Sequence, residues 1–170
     1  MRRIIATTAV LAAFPAAAQA RYAEGGGPEP APAPFPIDGE WEWGGASTHF
    51  GDRGGAHDGE DLMSDCGTPI VAAAGGKVVF ADSDGAAGNY LVVRGEEDHV
   101  YMHLARETRF EAGDRVRTGE RLGSVGRTGN ASTCHLHFEI WTAPGWYDGG
   151  KARDPRGDLK RWSRGTQPAS

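Results

Sequence analysis

Histidine and carboxylate side chains are concentrated in two short segments of this 170-residue sequence. One segment is 57–61 (HDGED) and the other is 134–139 (CHLHFE). Imidazole nitrogens and carboxylate oxygens are ligands of Zn²⁺, and a site with three protein ligands keeps its fourth position for water or substrate. Together the two segments indicate a metal site of the catalytic kind.

The spacing of His135 and His137 suits a β-strand. Residues two apart project from the same face of a strand, so the two imidazoles would point together while the intervening side chains face the core. His57 and Asp61 come from a Gly-rich segment that can bend around an ion. Each of these residues alone is as readily explained as a polar surface residue. Their combination predicts one carboxylate and imidazoles around an ion with an open position.

Five segments carry a resemblance to a known family and occur in that family's order. They are 47–61 (STHFGDRGGAHDGED), 67–74 (GTPIVAAA), 101–104 (YMHL), 113–126 (GDRVRTGERLGSVG) and 128–140 (TGNASTCHLHFEI). The sequence resembles the zinc metallopeptidases of the lysostaphin and LytM type, peptidase family M23, from about Ser47 to Trp141. The sequence departs from the family at two places. It has Thr133-Cys134 where the family often has Gly-Pro, and its segment after Arg53 is short. Neither departure changes a ligand position.

The resemblance implies roles for five side chains. His57, Asp61 and His137 would be the ligands of one Zn²⁺. His103 and His135 would lie beside the zinc-bound water and the scissile carbonyl. We expect His135 to be the general base and His103 to stabilise the oxyanion, with exchanged roles as the alternative. Because the sequence has no H-E-x-x-H motif, a histidine is the group available to accept and return the proton.

The function that this resemblance implies is hydrolysis of peptide bonds in the stems or cross-bridges of peptidoglycan. Some members of the family have lost metal ligands and act as non-catalytic modules that activate cell-wall amidases. This sequence has the expected residue at all three ligand positions and at both further histidine positions, which favours the enzyme. It does not identify a regulatory partner. Segment 113–122 also has the Gly, Val and Leu spacing of lipoyl and biotinyl carrier domains, but it lacks their modifiable lysine.

Short runs of strand-forming residues separated by Gly-rich turns make up most of the chain. The runs are 70–73, 77–81, 90–94, 99–104, 121–125 and 136–141. No stretch sustains helical periodicity for three turns. We therefore expect an all-β fold, a small antiparallel sandwich or barrel-like domain. The resemblance implies in addition a central groove and a relation to the duplicated hybrid-motif folds.

Cys66 and Cys134 are the two cysteines of the sequence. In an exported protein, two cysteines are more often paired than free. A Cys66–Cys134 disulfide would tie the segment of Asp61 to the segment of His135. The alternative is that Cys134 is itself a zinc ligand in a closed structural site.

Three further side chains lie near these motifs, and two of them keep two interpretations. His99 could line the groove or be a solvated hairpin histidine. Glu139 shares a strand face with His137 and could orient it, or it could be an ordinary strand carboxylate. We expect His49 to be a loop residue and not a ligand.

Both ends of the chain are predicted to lie outside the catalytic domain. Residues 1–20 resemble a signal peptide, with two arginines, an apolar stretch and an Ala-Gln-Ala cleavage site; a short membrane anchor is the alternative. We expect a Pro/Gly-rich linker over 21–36, the peptidase-like domain over 37–154, and a solvated basic tail over 155–170. The protein would then be exported, periplasmic or secreted, with no stable membrane span after cleavage.

The charge balance bears on possible partners. Without Arg2 and Arg3 the 18 basic residues fall to 16 against 23 acidic ones, a formal net charge of −7. A nucleic-acid-binding protein needs the opposite balance, so we exclude nucleic acid as a partner. The expected partner is a peptidoglycan peptide that is recognised by a shaped site.

Overall fold

The structure, a computed structural model, describes residues 34–164. The predicted signal peptide, most of the predicted linker and residues 165–170 lie outside the described residues. The strands are β1 (Glu42–Trp43), β2 (Glu60–Met63), β3 (Pro69–Val71), β4 (Gly76–Asp84), β5 (Gly88–Arg94), β6 (Asp98–Leu104), β7 (Arg115–Val116), β8 (Arg121–Ser124), β9 (His135–Trp141) and β10 (Ala152–Arg153). The helices are α1 (Asp52–Gly55) and α2 (Arg156–Ser163).

Two antiparallel sheets contain these strands. The larger sheet has the order β1-β2-β9-β6-β5-β4-β7, with β10 also paired to β9. The smaller sheet consists of β3 and β8. The expected all-β antiparallel fold is thereby confirmed, and β9 lies between β2 and β6 near the middle of the larger sheet.

The core lies between the two sheets. Ile70 of β3 and Leu122 of β8 pack in one cluster with side chains of the larger sheet such as Leu62 and Phe138. Each fully buried side chain of this size contributes about 1.5–3 kcal/mol relative to an exposed one. The core therefore holds one face of β2 and β9 in place and leaves the other face to polar side chains.

The core includes residues that the sequence assigned to the linker. Phe35 and Ile37 are buried in the main core, and the Phe35 ring stacks on Trp41 with 4.0 Å between centroids. The predicted linker is therefore wrong at its last residues. Its proline content suggested an extended spacer, but Phe35 supplies enough apolar area to bury.

The C-terminal segment forms a helix that packs on the core. Leu159 of α2 is fully buried, and Trp162 lies against Phe138 with ring centroids 6.2 Å apart. Residues three apart share a helix face, so these two make a short apolar stripe. The prediction of a solvated tail is wrong for residues 156–163. The charged residues on the other face of α2 dominate its sequence, so the two apolar residues gave no helical pattern. No helix within residues 34–164 is long and apolar enough to cross a membrane.

Candidate active site

Three side chains that the sequence singled out as metal ligands meet on the polar face of β2 and β9. Asp61 of β2 pairs directly with His137 of β9, and His57 precedes β2 in a loop. We call His57, Asp61 and His137 the metal triad. All three are buried. Their clustering was predicted from the sequence, although Asp61 lies on a strand and not in a bending loop.

The ligand atoms of the metal triad lie within reach of a single ion. His57 Nε2 is 3.1 Å from Asp61 Oδ1 and 3.1 Å from His137 Nδ1, and the last two atoms are 2.7 Å apart. Tetrahedral ligands with bonds of about 2.0–2.1 Å are separated by about 3.3 Å. The donor set and its spacing therefore fit one Zn²⁺.

The remaining polar atom of each triad residue is already bonded. His57 Nδ1–H donates to the His49 carbonyl at 2.8 Å, Arg53 donates to Asp61 Oδ2 at 3.0 Å, and His137 Nε2 lies 2.9 Å from Glu139 Oε1. These bonds direct His57 Nε2, Asp61 Oδ1 and His137 Nδ1 towards one point. Outer partners of this kind orient ligands in metal sites.

Glu139 is therefore an orienting carboxylate, which resolves its two interpretations. Its second oxygen accepts a hydrogen bond from Trp141 Nε1 at 2.6 Å, so the carboxylate is itself fixed. His49 is a loop residue, as expected. The contribution of its carbonyl was missed, since a backbone group carries no sequence signal.

The electrostatics of the metal triad favour a positive charge. Burial opposes ionisation of Asp61, but the hydrogen bond from His137 and nearby imidazoles outweigh it and lower the pKa of this carboxyl to about 2. Burial disfavours a charged His137, yet hydrogen bonds to Asp61 and Glu139 raise its pKa to about 9. The charges at this site therefore favour a bound cation.

His103 and His135, which we call the histidine pair, lie beside the metal triad. Their ring centroids are 4.7 Å apart, and His135 Nε2 is 3.6 Å from Asp61 Oδ1. His103 Nδ1–H donates to the Thr128 carbonyl at 2.8 Å and His135 Nδ1–H donates to the Thr133 carbonyl at 2.9 Å. In the neutral form each ring therefore keeps an unprotonated Nε2 that can accept a proton.

An unusual backbone conformation places His103 in the site. Regular alternation along β6 would put His103 on the core face with Tyr101. Instead His103 has φ 63°, a left-handed conformation that is uncommon outside glycine. Its ring lies 6.1 Å from that of His137. Such outliers cluster at functional sites.

His99 fits neither of its two interpretations. It is buried, with its ring 5.5 Å from that of Phe138 and 5.9 Å from that of Trp162. It is therefore neither in the groove nor solvated. The helix that covers it was not predicted, so its burial could not be.

The two cysteines form a disulfide, as predicted. The Cα atoms of Cys66 and Cys134 are 5.3 Å apart, and the bond joins residues 68 apart in sequence. It connects the segment after β2 to the start of β9. Cys134 is therefore not available as a metal ligand, which removes the closed structural site.

Three cavities lie in sequence next to the metal triad. A cavity of about 150 Å³ at the histidine pair shares Met63 and Thr133 with a second cavity of about 390 Å³. Part of the second cavity is lined by Trp41, which also lines a third cavity of about 800 Å³. The three cavities therefore neighbour one another through shared lining residues, from the histidine pair to Trp41.

This site has the layout of a metal-dependent hydrolase. On an antiparallel sheet, two imidazoles and one carboxylate surround one point, and two further histidines lie beside them. Residues 55–155 match the family model Peptidase family M23, and the chain belongs to this family. The resemblance found in the sequence is thereby confirmed.

Named relatives agree with this assignment. Glycyl-glycine endopeptidase ALE-1 of Staphylococcus capitis is 35% identical over 124 residues, covering 71% of this chain and 33% of that protein. Peptidoglycan DD-endopeptidase ShyC of Vibrio cholerae is 37% identical over 87 residues, covering 50% of this chain and 20% of that protein. This chain therefore spans a third or less of the length of these curated relatives.

A solved structure has the same fold. The antimicrobial peptidase lysostaphin from Staphylococcus simulans matches with a TM-score of 0.65 and 27% sequence identity. The match covers 81% of this chain and 60% of that chain. It confirms the lysostaphin type of antiparallel fold.

Proposed function

We propose that this protein is an exported zinc metalloendopeptidase that hydrolyses peptide bonds in the stems or cross-bridges of peptidoglycan. The observation that carries the proposal is the metal triad, whose three ligand atoms lie within 3.1 Å of one another. Membership of peptidase family M23 and relatives named as peptidoglycan and glycyl-glycine endopeptidases support the reaction class. The disulfide fits an oxidising compartment outside the cytoplasm.

His57, Asp61 and His137 would hold the Zn²⁺. When bound, zinc polarises a carbonyl and lowers the pKa of a coordinated water to about 7. The bonds from His57 Nδ1–H to the His49 carbonyl and from His137 Nε2 to Glu139 leave His57 Nε2 and His137 Nδ1 facing the ion position.

His135 is the proposed general base. Its Nε2 carries a lone pair, because Nδ1–H is committed to the Thr133 carbonyl. Asp61 Oδ1 lies 3.6 Å from that nitrogen, which places His135 beside the ion position. His135 can therefore take a proton from the attacking water and return it to the leaving amine.

His103 has the complementary role in this proposal. Burial, reinforced by His135, lowers the pKa of His103 to about 4, so it is a weak base at neutral pH. With Nδ1–H bonded to Thr128, it can donate to an oxyanion only when Nε2 also carries a proton. The developing negative charge of the oxyanion would itself favour that proton, and a protonated His103 would then donate a strong, charge-assisted hydrogen bond.

Digestion of purified peptidoglycan by the chain from residue 21 onward tests the proposal. We expect soluble fragments whose masses identify the broken peptide bond, loss of cleavage with a zinc chelator, and recovery on adding zinc. Asp61→Asn should be inactive. Glu96→Gln, the same carboxylate-to-amide change at an exposed hairpin residue, should cleave normally. Zinc-loaded protein that releases no peptide fragments would contradict the proposal and favour a non-catalytic module.

A further inference from the structure

A buried carboxylate lies directly behind the metal triad, on the core side of β2. Glu60 precedes Asp61 and projects to the opposite face of the strand, where it pairs with Phe138. It is only 1% exposed. A buried charge is costly unless it is paired, so the partners of Glu60 show what this charge is used for.

The first partner of Glu60 is the residue that orients a metal ligand. His49 Nδ1 lies 2.9 Å from Glu60 Oε2, and the His49 carbonyl accepts the bond from His57 Nδ1–H at 2.8 Å. The His49 amide also donates to Asp52 at 2.9 Å, so its backbone is held on both sides. A displacement of the His49 ring would therefore move the carbonyl that aims His57.

The second partner of Glu60 comes from the C-terminal helix. Arg156, the first residue of α2, lies with Nη1 3.9 Å from Glu60 Oε1 and its guanidinium 5.0 Å above the Trp43 ring. Its Nε is buried and has no hydrogen-bond partner among residues 34–164. A buried donor without a partner costs free energy, and the ion pair between Arg156 and Glu60 offsets that cost.

Arg156 lies outside residues 55–155, the part of the chain that matches the family. The rest of α2 is anchored in the core by Leu159, and by Trp162 against Phe138. A segment beyond the family match therefore contacts the strand that carries Asp61 and, through Glu60, the loop that carries His57.

We propose that Glu60 is a positioning residue for the metal triad, and that α2, through Arg156, holds Glu60 and His49 in the arrangement that aims His57 at the ion. The proposal rests on the zinc site of the proposed function. It assigns to the C-terminal helix an effect on metal affinity in addition to its packing.

Zinc affinity of the purified chain tests this, measured by competition with a chromophoric chelator. We expect Glu60→Gln to weaken zinc binding about tenfold, the lower end of the range for outer partners of metal ligands. Arg156→Met, which can still cover Trp43, should weaken it in the same direction but less. Lys160→Met is the matched control, because it makes the same change at an exposed position of α2 and should leave the affinity unchanged.

Two further measurements separate positioning from general stability. The visible spectrum of the Co²⁺ form reports ligand geometry, and it should change in Glu60→Gln and Arg156→Met but not in Lys160→Met. The double variant should lose no more affinity than Glu60→Gln alone, because Arg156 acts through Glu60. Arg156→Lys should restore most of the loss.

Unchanged zinc affinity and cobalt spectrum in folded Glu60→Gln would overturn the proposal, as would an equal loss in Lys160→Met. If Glu60→Gln does not fold, Arg156→Met and its lysine rescue decide the question alone. A parent chain that binds no zinc would instead refute the proposed function.

Discussion

The metal triad and the histidine pair are adjacent, but their supporting bonds differ. Two of the three triad residues are held from behind by charged side chains, those of Arg53 and Glu139, and the third by the His49 carbonyl. Both members of the histidine pair are held by backbone carbonyls of loop residues, Thr128 and Thr133. The Glu139 carboxylate adds negative charge behind His137, which suits a site that must retain a cation, and the Arg53 guanidinium fixes the second oxygen of Asp61. Neutral supports fix a tautomer and leave the outward nitrogen free to exchange a proton.

Removing a triad residue should have the largest effect. His57→Ala or Asp61→Ala deletes one of three protein ligands, so we expect loss of both bound zinc and peptidoglycan hydrolysis. Metal analysis of the purified variants, together with the digestion assay, measures both. A variant that keeps stoichiometric zinc would show that the triad is not the ligand set.

Removing a member of the histidine pair should separate the two properties. His135→Ala and His103→Ala are expected to keep zinc while hydrolysis falls about 10²- to 10⁴-fold, the usual range for a general acid or base. The kcat of each variant at equal zinc loading is the measurement. Full activity in His135→Ala would refute its assignment as the base.

A smaller effect is expected from the support behind His137. Glu139→Gln keeps the size of the side chain but removes the charge next to Nε2, so zinc affinity should fall about 10- to 100-fold. With zinc in excess, most of the activity should return. Glu96→Gln is the control for the same change at an exposed position. Equal affinities in the two variants would mean that the charged support is not needed.

The disulfide supports the loop side of the histidine pair, since Cys134 separates Thr133 from His135. Replacing both cysteines by serine should lower the free energy of unfolding by about 4 kcal/mol for a closed loop of this length. Urea unfolding measures that change. Zinc content should stay the same and kcat should fall only a few-fold, because the carbonyl that orients His135 becomes less fixed. Loss of zinc would show that the bond supports the metal triad instead.

Much of this site could be predicted because it follows local rules. The alternation of β9 places His135 and His137 on one face, and the structure has them so. The six predicted strand runs correspond to β3, β4, β5, β6, β8 and β9. The pairing of two cysteines in a chain expected to be exported was likewise predictable.

The remaining features depend on tertiary contacts that local patterns do not contain. His103 reaches the site because its own backbone is left-handed, and no sequence periodicity predicts that conformation. The strand character of Glu60 and Asp61 depends on pairing with β9, and the sequence there is Gly-rich and polar. The apolar face of α2 consists of two residues in a basic segment, too short to give a periodic pattern.

His99 provides a buried histidine that belongs to neither group. Burial lowers its pKa from 6.5 to about 4, so the native protein keeps it neutral. Above pH 6.5 neither the folded nor the unfolded chain protonates it. Between pH 6.5 and 4 only the unfolded chain gains the proton, so the free energy of unfolding should fall as the pH falls, by about 3 kcal/mol at pH 4 from this group.

The variant His99→Gln should lack this part of the pH dependence and hydrolyse peptidoglycan normally at pH 7. Urea unfolding of parent and variant between pH 4.5 and 7 measures the difference in slope. Parallel curves would show that His99 is protonated equally in both states. A loss of hydrolysis at pH 7 would show that catalysis also depends on a histidine on the other face of β6, under α2. Contact with the metal triad would then not be what separates catalytic histidines from other buried ones.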